Sequence, residues 1–224
     1  MKSMKFMPQV PKEHYFKNYD TKERWMSYWY QINEILKLNP ENVLEIGVGN
    51  KVVSNYLRKQ GIKVTTIDID PELKPDFVCS VTNLSEVLKS KYDVVLCAQV
   101  LEHLPFSEFE KSLDEIKKVC KRYAIITLPY GGIDLSLIVY FPKKGLKKIL
   151  SVKIPFPRKH KFDGEHYWEI RKKGYSLSKI CKILSKYFIV KREFYPPENM
   201  WHYFFVLSVK KIKNPNGEAY GEVS

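Results

Sequence analysis

The residues of this 224-residue chain best placed to do chemistry are a short run bearing an acid and two glycines, and a second acid further on. The run is Glu45-Ile46-Gly47-Val48-Gly49-Asn50, and the second acid is Asp68, 21 residues after Gly47. Glycines at such a turn let the backbone bend sharply and approach a ligand with no Cβ in the way. An acid about 20 residues on, at the end of the next strand, suits hydrogen bonds from both hydroxyls of a ribose. Nucleoside binding follows from that pattern; the plainer alternative is a tight strand-to-helix turn with Asp68 merely opening the next loop. A dinucleotide fingerprint reads G-x-G-x-x-G, and its third glycine position holds Val52 here, so that pattern fails. Two histidines are candidates for proton transfer: His103 and His166. The alternative for His103 is a structural role at the start of its loop. His14 and His202 stand in no pattern and read as surface or packing residues.

A site of this kind needs strands that end in turns and helices that begin there. Residues 20–38 predict a helix, with Trp25, Tyr28, Trp29, Ile32, Ile35 and Leu36 at three- and four-residue spacing and Pro40 beyond its end. Strands are predicted at 43–47, 62–68, 76–79, 92–98 and 123–128, and helices at 51–60, 85–90 and 108–120. That alternation argues for an α/β fold with a parallel sheet and helices on both faces. A helix at 176–185 and two strands at 188–194 and 202–209, an antiparallel edge pair, close a single domain spanning 1–211. Residues 212–224 are expected to fray.

The composition permits such a fold: 44% of residues are hydrophobic and 14% aromatic, which excludes wholesale disorder. No apolar run is long enough to cross a bilayer, and the N-terminal residues lack the apolar stretch of a secretory signal. The four cysteines (Cys79, Cys97, Cys120, Cys181) form no C-x-x-C pair, so they read as reduced residues of a cytoplasmic protein.

The net charge of +13 is uneven. Residues 142–161 carry eight basic side chains and no acid, within a lid-like insertion at about 130–164 rich in Pro, Gly and Lys. Such a segment attracts nucleic acid, an anionic membrane surface or an anionic acceptor, or is simply a solvated loop. Its centre, GLKKILSVKI, has the pattern of a short amphipathic basic helix suited to a membrane surface.

Glu-x-Gly-x-Gly after the first strand resembles the first motif of class I S-adenosylmethionine-dependent methyltransferases. The resemblance runs over about residues 20–210. Asp68 matches the second motif, VVLCAQVLEHLPF the fourth-strand motif, AIITLPY the fifth strand, EHYWEIRKKGYSLSKICKIL the segment before the penultimate helix, and YFFVLSVKK the seventh strand. It implies a Rossmann-like, seven-stranded, mostly parallel sheet with an antiparallel last strand, and S-adenosyl-L-methionine as cofactor. It also implies roles: Glu45 toward the cofactor's amino end, Gly47 and Gly49 beneath its methionine and ribose, Asp68 on the ribose, Ile69 and Ser80 at the adenine, and Gln99 near the sulfonium. His166 or His103 would then face the acceptor. Two positions depart from the family: Lys51 replaces a third glycine, and Ser80 replaces an acid. Metal-dependent members carry Glu-x-x-Glu-His followed by a later His; Gln99 stands in place of the first Glu, a poor ligand for a hard cation, so no metal is expected. The expected activity is methyl transfer to a small-molecule acceptor, anionic or lipid-like, at oxygen or nitrogen, its pocket roofed by Tyr28 or Trp29 of the N-terminal helix. The competing readings are an RNA methyltransferase and a non-catalytic binding module.

Overall fold

The computed structural model describes residues 7–141, 146–154, 158–210, 212–213 and 219–220. In chain order, α1 (Lys22–Lys37), β1 (Asn42–Ile46), α2 (Val52–Lys59), β2 (Lys63–Asp68) and β3 (Phe77–Val78) build the first half of the sheet. The one-turn α3 (Leu84–Val87), β4 (Tyr92–Ala98), α4 (Phe109–Val119) and β5 (Cys120–Pro129) extend it. Then come β6 (Ile133–Phe141), β7 (Leu146–Ile154), α5 (Leu177–Tyr187), β8 (Phe188–Phe194) and β9 (His202–Val209).

The main sheet has seven strands in the order β3-β2-β1-β4-β5-β9-β8. The first five run parallel, and β9 is antiparallel to both β5 and β8. Strand alternation sorts its core into two halves. Leu44 and Ile46 of β1 and Val95 and Cys97 of β4 pack under α3, α4 and α5. Val43, Val94 and Leu96 face the other way, against Ile35 of α1 and Val53 and Leu57 of α2. Chain direction reverses its progress across the sheet between β1 and β4. At such a switch point the carboxyl ends of the strands leave a crevice.

Two expectations are corrected, the second in part. The basic insertion is not a helix: β6 and β7 form an antiparallel hairpin apart from the main sheet. Strict alternation in Ile133-Asp-Leu-Ser-Leu137 and Leu150-Ser-Val-Lys-Ile154 decides for strand over helix. The tip residues 142–145 lie outside the described residues. The stripe of α1 splits: Ile35 is buried with Tyr28 and Ile32 packed against the same core, whereas Trp25, Trp29 and Leu36 are exposed. Ser27, Gln31 and Glu34 are buried as well, and two of them meet polar partners: Asn199 Nδ2 donates to Ser27 Oγ at 2.9 Å, and Arg192 pairs with Glu34 at 2.7 Å. His202, read as a surface or packing residue, is the latter: it is buried at the start of β9. In the tail, Ile212–Lys213 pairs with Ala219–Tyr220, and the rest lies outside the described residues.

Candidate active site

A cavity of about 540 Å³ opens at the carboxyl ends of β1, β2 and β4. Glu45, Gly47, Gly49, Asp68, Ile69, Ser80 and Gln99, the cofactor candidates of the sequence, all line it. His103 lines it as well. His166 is not on its wall; its ring packs edge-on behind that of His103, centroids 4.9 Å apart.

The glycine turn is held by backbone and by Asp68. Gly47 N donates to Ile67 O at 2.8 Å, joining the turn to β2. Its φ of +79° and the collision a Cβ would make with the Val100 side chain both require glycine. Asp68 Oδ2 accepts from Val48 N and Oδ1 from Asp70 N, each at 2.9 Å. Each carboxylate oxygen keeps a second lone pair for a ligand hydroxyl. Burial raises the Asp68 pKa above the ordinary carboxylate range, against the pull of those backbone donors.

Glu45 ends up buried at the cavity floor, with Oε2 lacking any partner. Burial pushes its carboxyl up to about 7, although hydrogen bonding with Ser54 pulls the other way. An unpaired buried carboxyl is costly unless a cation arrives.

The two departures from the family pattern prove compatible with the geometry. Lys51 takes φ +63°, the left-handed conformation a glycine would supply, and its Nζ donates to Lys74 O at 2.6 Å. Its side chain does not line the cavity. Ser80 caps the short 3-10 helix Val81–Asn83, its Oγ accepting from Thr82 N at 3.3 Å.

Beyond β4, Gln99 sits at φ +54°. Its neighbours fix the amide orientation: Oε1 accepts from Leu128 N at 3.2 Å and Thr127 Oγ1 at 3.1 Å, and Nε2 donates to Glu102 Oε1 at 3.3 Å. Glu102 is fully buried, and burial pushes it to about 7; its Oε2 has no partner. Burial lowers His103 to about 4, so its ring is neutral near pH 7. Gln9 Nε2 donates to His103 O at 3.2 Å, which leaves Gln9 Oε1 as acceptor for His103 Nδ1, 2.7 Å away. In that tautomer Nε2 is the basic ring nitrogen, and the Glu165 backbone lies within hydrogen-bonding reach of the ring. His166 answers differently: burial lowers it, but the Glu169 hydrogen bond (3.4 Å), with Glu102 and Asp163 nearby, raises it above the usual range.

These groups form two sets with metal-ligand chemistry. Ligand atoms of Glu102, His103 and His166 lie within 4.8 Å of one another, as do those of Asp163, His166 and Glu169. The unpartnered Glu102 Oε2 makes the first set a fit for a divalent ion despite Gln99.

The roof and far wall come from residues that the motifs did not mark. Met7–Val10 and Tyr15 lie over the turn, and Arg24, Tyr28 and Gln31 of α1 close one side. Tyr28 was anticipated; Trp29 points outward. Arg24 stacks 3.7 Å from the centroid of Tyr19 and donates to its hydroxyl at 2.8 Å. His202 completes the wall, with Nδ1 unpartnered and burial lowering its pKa to about 3. Topology was the signal that could have found it. The first residue of a strand antiparallel to β5 must land at the carboxyl edge of the parallel sheet, and His202 pairs with Pro129 there.

Comparison with known proteins then decides the family. The pattern of the methyltransferase domain family matches residues 21–176. The chain belongs to that family. Among curated relatives, the ubiquinone biosynthesis O-methyltransferase of Dechloromonas aromatica (strain RCB) is 25% identical over 134 residues, 54% of each chain. The enzyme of the same description from Xanthomonas euvesicatoria pv. vesicatoria (strain 85-10) is 32% identical over 84 residues, 31% of this chain and 35% of that protein. The chain thus spans about half the length, or less, of the curated relatives it matches. Of solved structures, the Burkholderia thailandensis 1,6-didemethyltoxoflavin-N1-methyltransferase with bound S-adenosylhomocysteine superposes with TM-score 0.58 at 15% identity, covering 88% of this chain and 84% of that one. The magnesium protoporphyrin IX methyltransferase of Synechocystis PCC 6803 with bound S-adenosylmethionine gives 0.57 at 14% identity, covering 89% of each. Both share the fold.

Proposed function

We propose that this methyltransferase-family chain transfers a methyl group from S-adenosyl-L-methionine to oxygen or nitrogen of a small acceptor. One observation carries the reading: a buried Glu45 carboxyl with Oε2 unpartnered and the Asp68-tied glycine turn face one cavity of about 540 Å³. In the proposed pose Glu45 receives the cofactor's ammonium, Asp68 the ribose hydroxyls, Ile69 and Ser80 the adenine. The sulfonium then lies near Gln99. The acceptor enters on the side of Arg24, Tyr28 and His202, and Arg24 supplies a counter-charge for an anionic acceptor.

The reaction is an in-line displacement at carbon. The acceptor's lone pair forms the new bond to the methyl, the carbon–sulfur bond breaks, and its electron pair leaves on the sulfur of S-adenosylhomocysteine. The acceptor's proton passes to a base, for which His103 Nε2 is the leading candidate, with His166 positioned behind it. Alignment of the two reactants supplies much of the rate. The aligned relatives' O-methyltransferase names favour an oxygen acceptor. Free thiols at all four cysteines accord with a reducing, cytoplasmic setting. Among the described residues no helix is long and apolar enough to cross a membrane.

A second reading is favoured by the cluster of Glu102, His103 and His166: a divalent ion held there would polarise an acceptor hydroxyl. Calorimetric titration of S-adenosylmethionine into wild type and Asp68→Ala tests the cofactor site. Binding lost in the variant is the expected result; no binding to wild type sinks the reading. Repeating turnover with and without chelator separates the two acceptor mechanisms.

A further inference from the structure

The β6–β7 hairpin has its amphipathic character reversed. In a sheet that covers a protein body, apolar side chains face in and polar ones face water. Here Asp134, Ser136 and Lys153 face the body. Lys153 pairs with Asp134 at 2.7 Å and donates to Met200 O at 2.9 Å, with only 1% of its side chain exposed. Ser136 Oγ donates to Pro197 O at 3.2 Å. The opposite face holds three directly paired rows: Ile133 with Ile154, Leu135 with Val152, and Leu137 with Leu150. All six are aliphatic, and each is 42–66% exposed. A contiguous aliphatic patch of this kind marks an interaction surface.

From this face we infer that the hairpin docks the protein on the surface of an anionic phospholipid bilayer. The hairpin carries three of the six aliphatic residues on each strand, and its second strand belongs to a stretch of chain (142–161) with eight basic residues and no acid, of which Lys153 is turned to the body. Aliphatic insertion beside a cluster of cations is the combination that anionic membranes select. A second copy is disfavoured because pairing two such hairpins brings like charges together. An RNA strand offers nothing for six aliphatic side chains to contact.

The position of the hairpin gives the docking a purpose. Its base follows β5 directly, and Gly132 there admits no side chain, since a Cβ would lie 2.8 Å from Ile154 O. Met200, the residue that Lys153 holds, is two residues from His202 on the cavity wall. A docked hairpin therefore sets the acceptor side of the cavity near the bilayer, and an amphiphilic, lipid-borne acceptor reaches it without crossing water. That last step rests on the methyl-transfer reading; the docking does not.

The test is co-sedimentation of the full chain with vesicles of phosphatidylcholine alone or mixed with phosphatidylglycerol. Wild type is expected to partition onto the mixed vesicles and weakly onto the neutral ones. The Lys147→Gln, Lys148→Gln pair should partition about 25-fold less, at about fivefold per charge. A variant with Leu135, Leu137, Leu150 and Val152 each changed to Thr should lose partitioning roughly tenfold or more, while its circular dichroism stays that of wild type. Wild type left in the supernatant, or undiminished binding by the Thr variant, overturns the proposal. So does dimerisation that the Thr variant abolishes, which assigns the face to a second copy, or RNA binding without vesicle binding. Vesicle binding with no S-adenosylmethionine binding refutes the methyl-transfer reading and leaves the docking standing.

Discussion

Placing a carboxyl with a pKa of about 7 under the cofactor's ammonium makes binding a proton-linked event. In the free protein Glu45 is half protonated near neutrality. An ammonium beside it stabilises the carboxylate, so its pKa falls in the complex and the complex holds fewer protons. Affinity must then rise with pH until about 7 and level off. With a free-state pKa of about 7, the ionised fraction is about 0.09 at pH 6 and about 0.76 at pH 7.5, a ratio of about eightfold or about 1.2 kcal/mol. Binding should release about 0.9 proton at pH 6 and about 0.2 at pH 7.5. Above about pH 8 the cofactor's own amino group loses its charge and affinity declines again. Calorimetry in two buffers of different ionisation enthalpy reads the released protons directly. Glu102 also titrates near 7, so Glu45→Gln is the necessary partner experiment: it should weaken binding and abolish both the proton release and the pH dependence. Proton release that survives in Glu45→Gln, or none in wild type at pH 6, refutes the placement of the ammonium.

Other outcomes follow from single contacts. Lys51→Gly should leave cofactor affinity within about threefold of wild type, because the side chain turns to Lys74 O and relief of a left-handed non-glycine offsets the lost bond; a large change in the calorimetric Kd contradicts that. Gln9→Ala removes both hydrogen bonds that pin the N-terminal segment over the cavity and should speed cofactor release in stopped-flow displacement. His103→Ala should lower kcat by about 10²-fold or more with the cofactor Kd little changed; an intact kcat removes His103 from proton transfer. His202→Asn should raise the acceptor KM and spare cofactor binding, and the reverse pattern would place His202 on the cofactor side.

The cofactor half of the site was legible because its signals are local. Gly47, Gly49 and Asp68 sit at the ends of short β-branched strands whose apolar runs admit no other fold position, and the fourth strand, YDVVLCA, is buried throughout bar its last residue. The acceptor half was not, because its residues meet only through tertiary pairing. Arg24 and Gln31 lie on a helix whose tryptophans suggested the opposite inner face. His202 is brought to the rim by the β5–β9 register, 73 residues after Pro129 in the chain. The hairpin misled for a different reason. GLKKILSVKI satisfies helical spacing over its first half, and the strand is selected by the alternation that follows from Leu150 together with its cross-strand partner, Ile133–Phe141.

The β9 strand has a consequence for how the fold comes into being on the ribosome. Its place between β5 and β8 stays vacant until the chain has been made past Val209. The residues around Glu45, Asp68 and Gln99 are synthesised well before that, so a nascent chain can assemble its nucleoside-binding floor early. It lacks the wall that His202 supplies until β9 is threaded in. Closure of that side of the cavity is thereby postponed until the gap between β5 and β8 is filled.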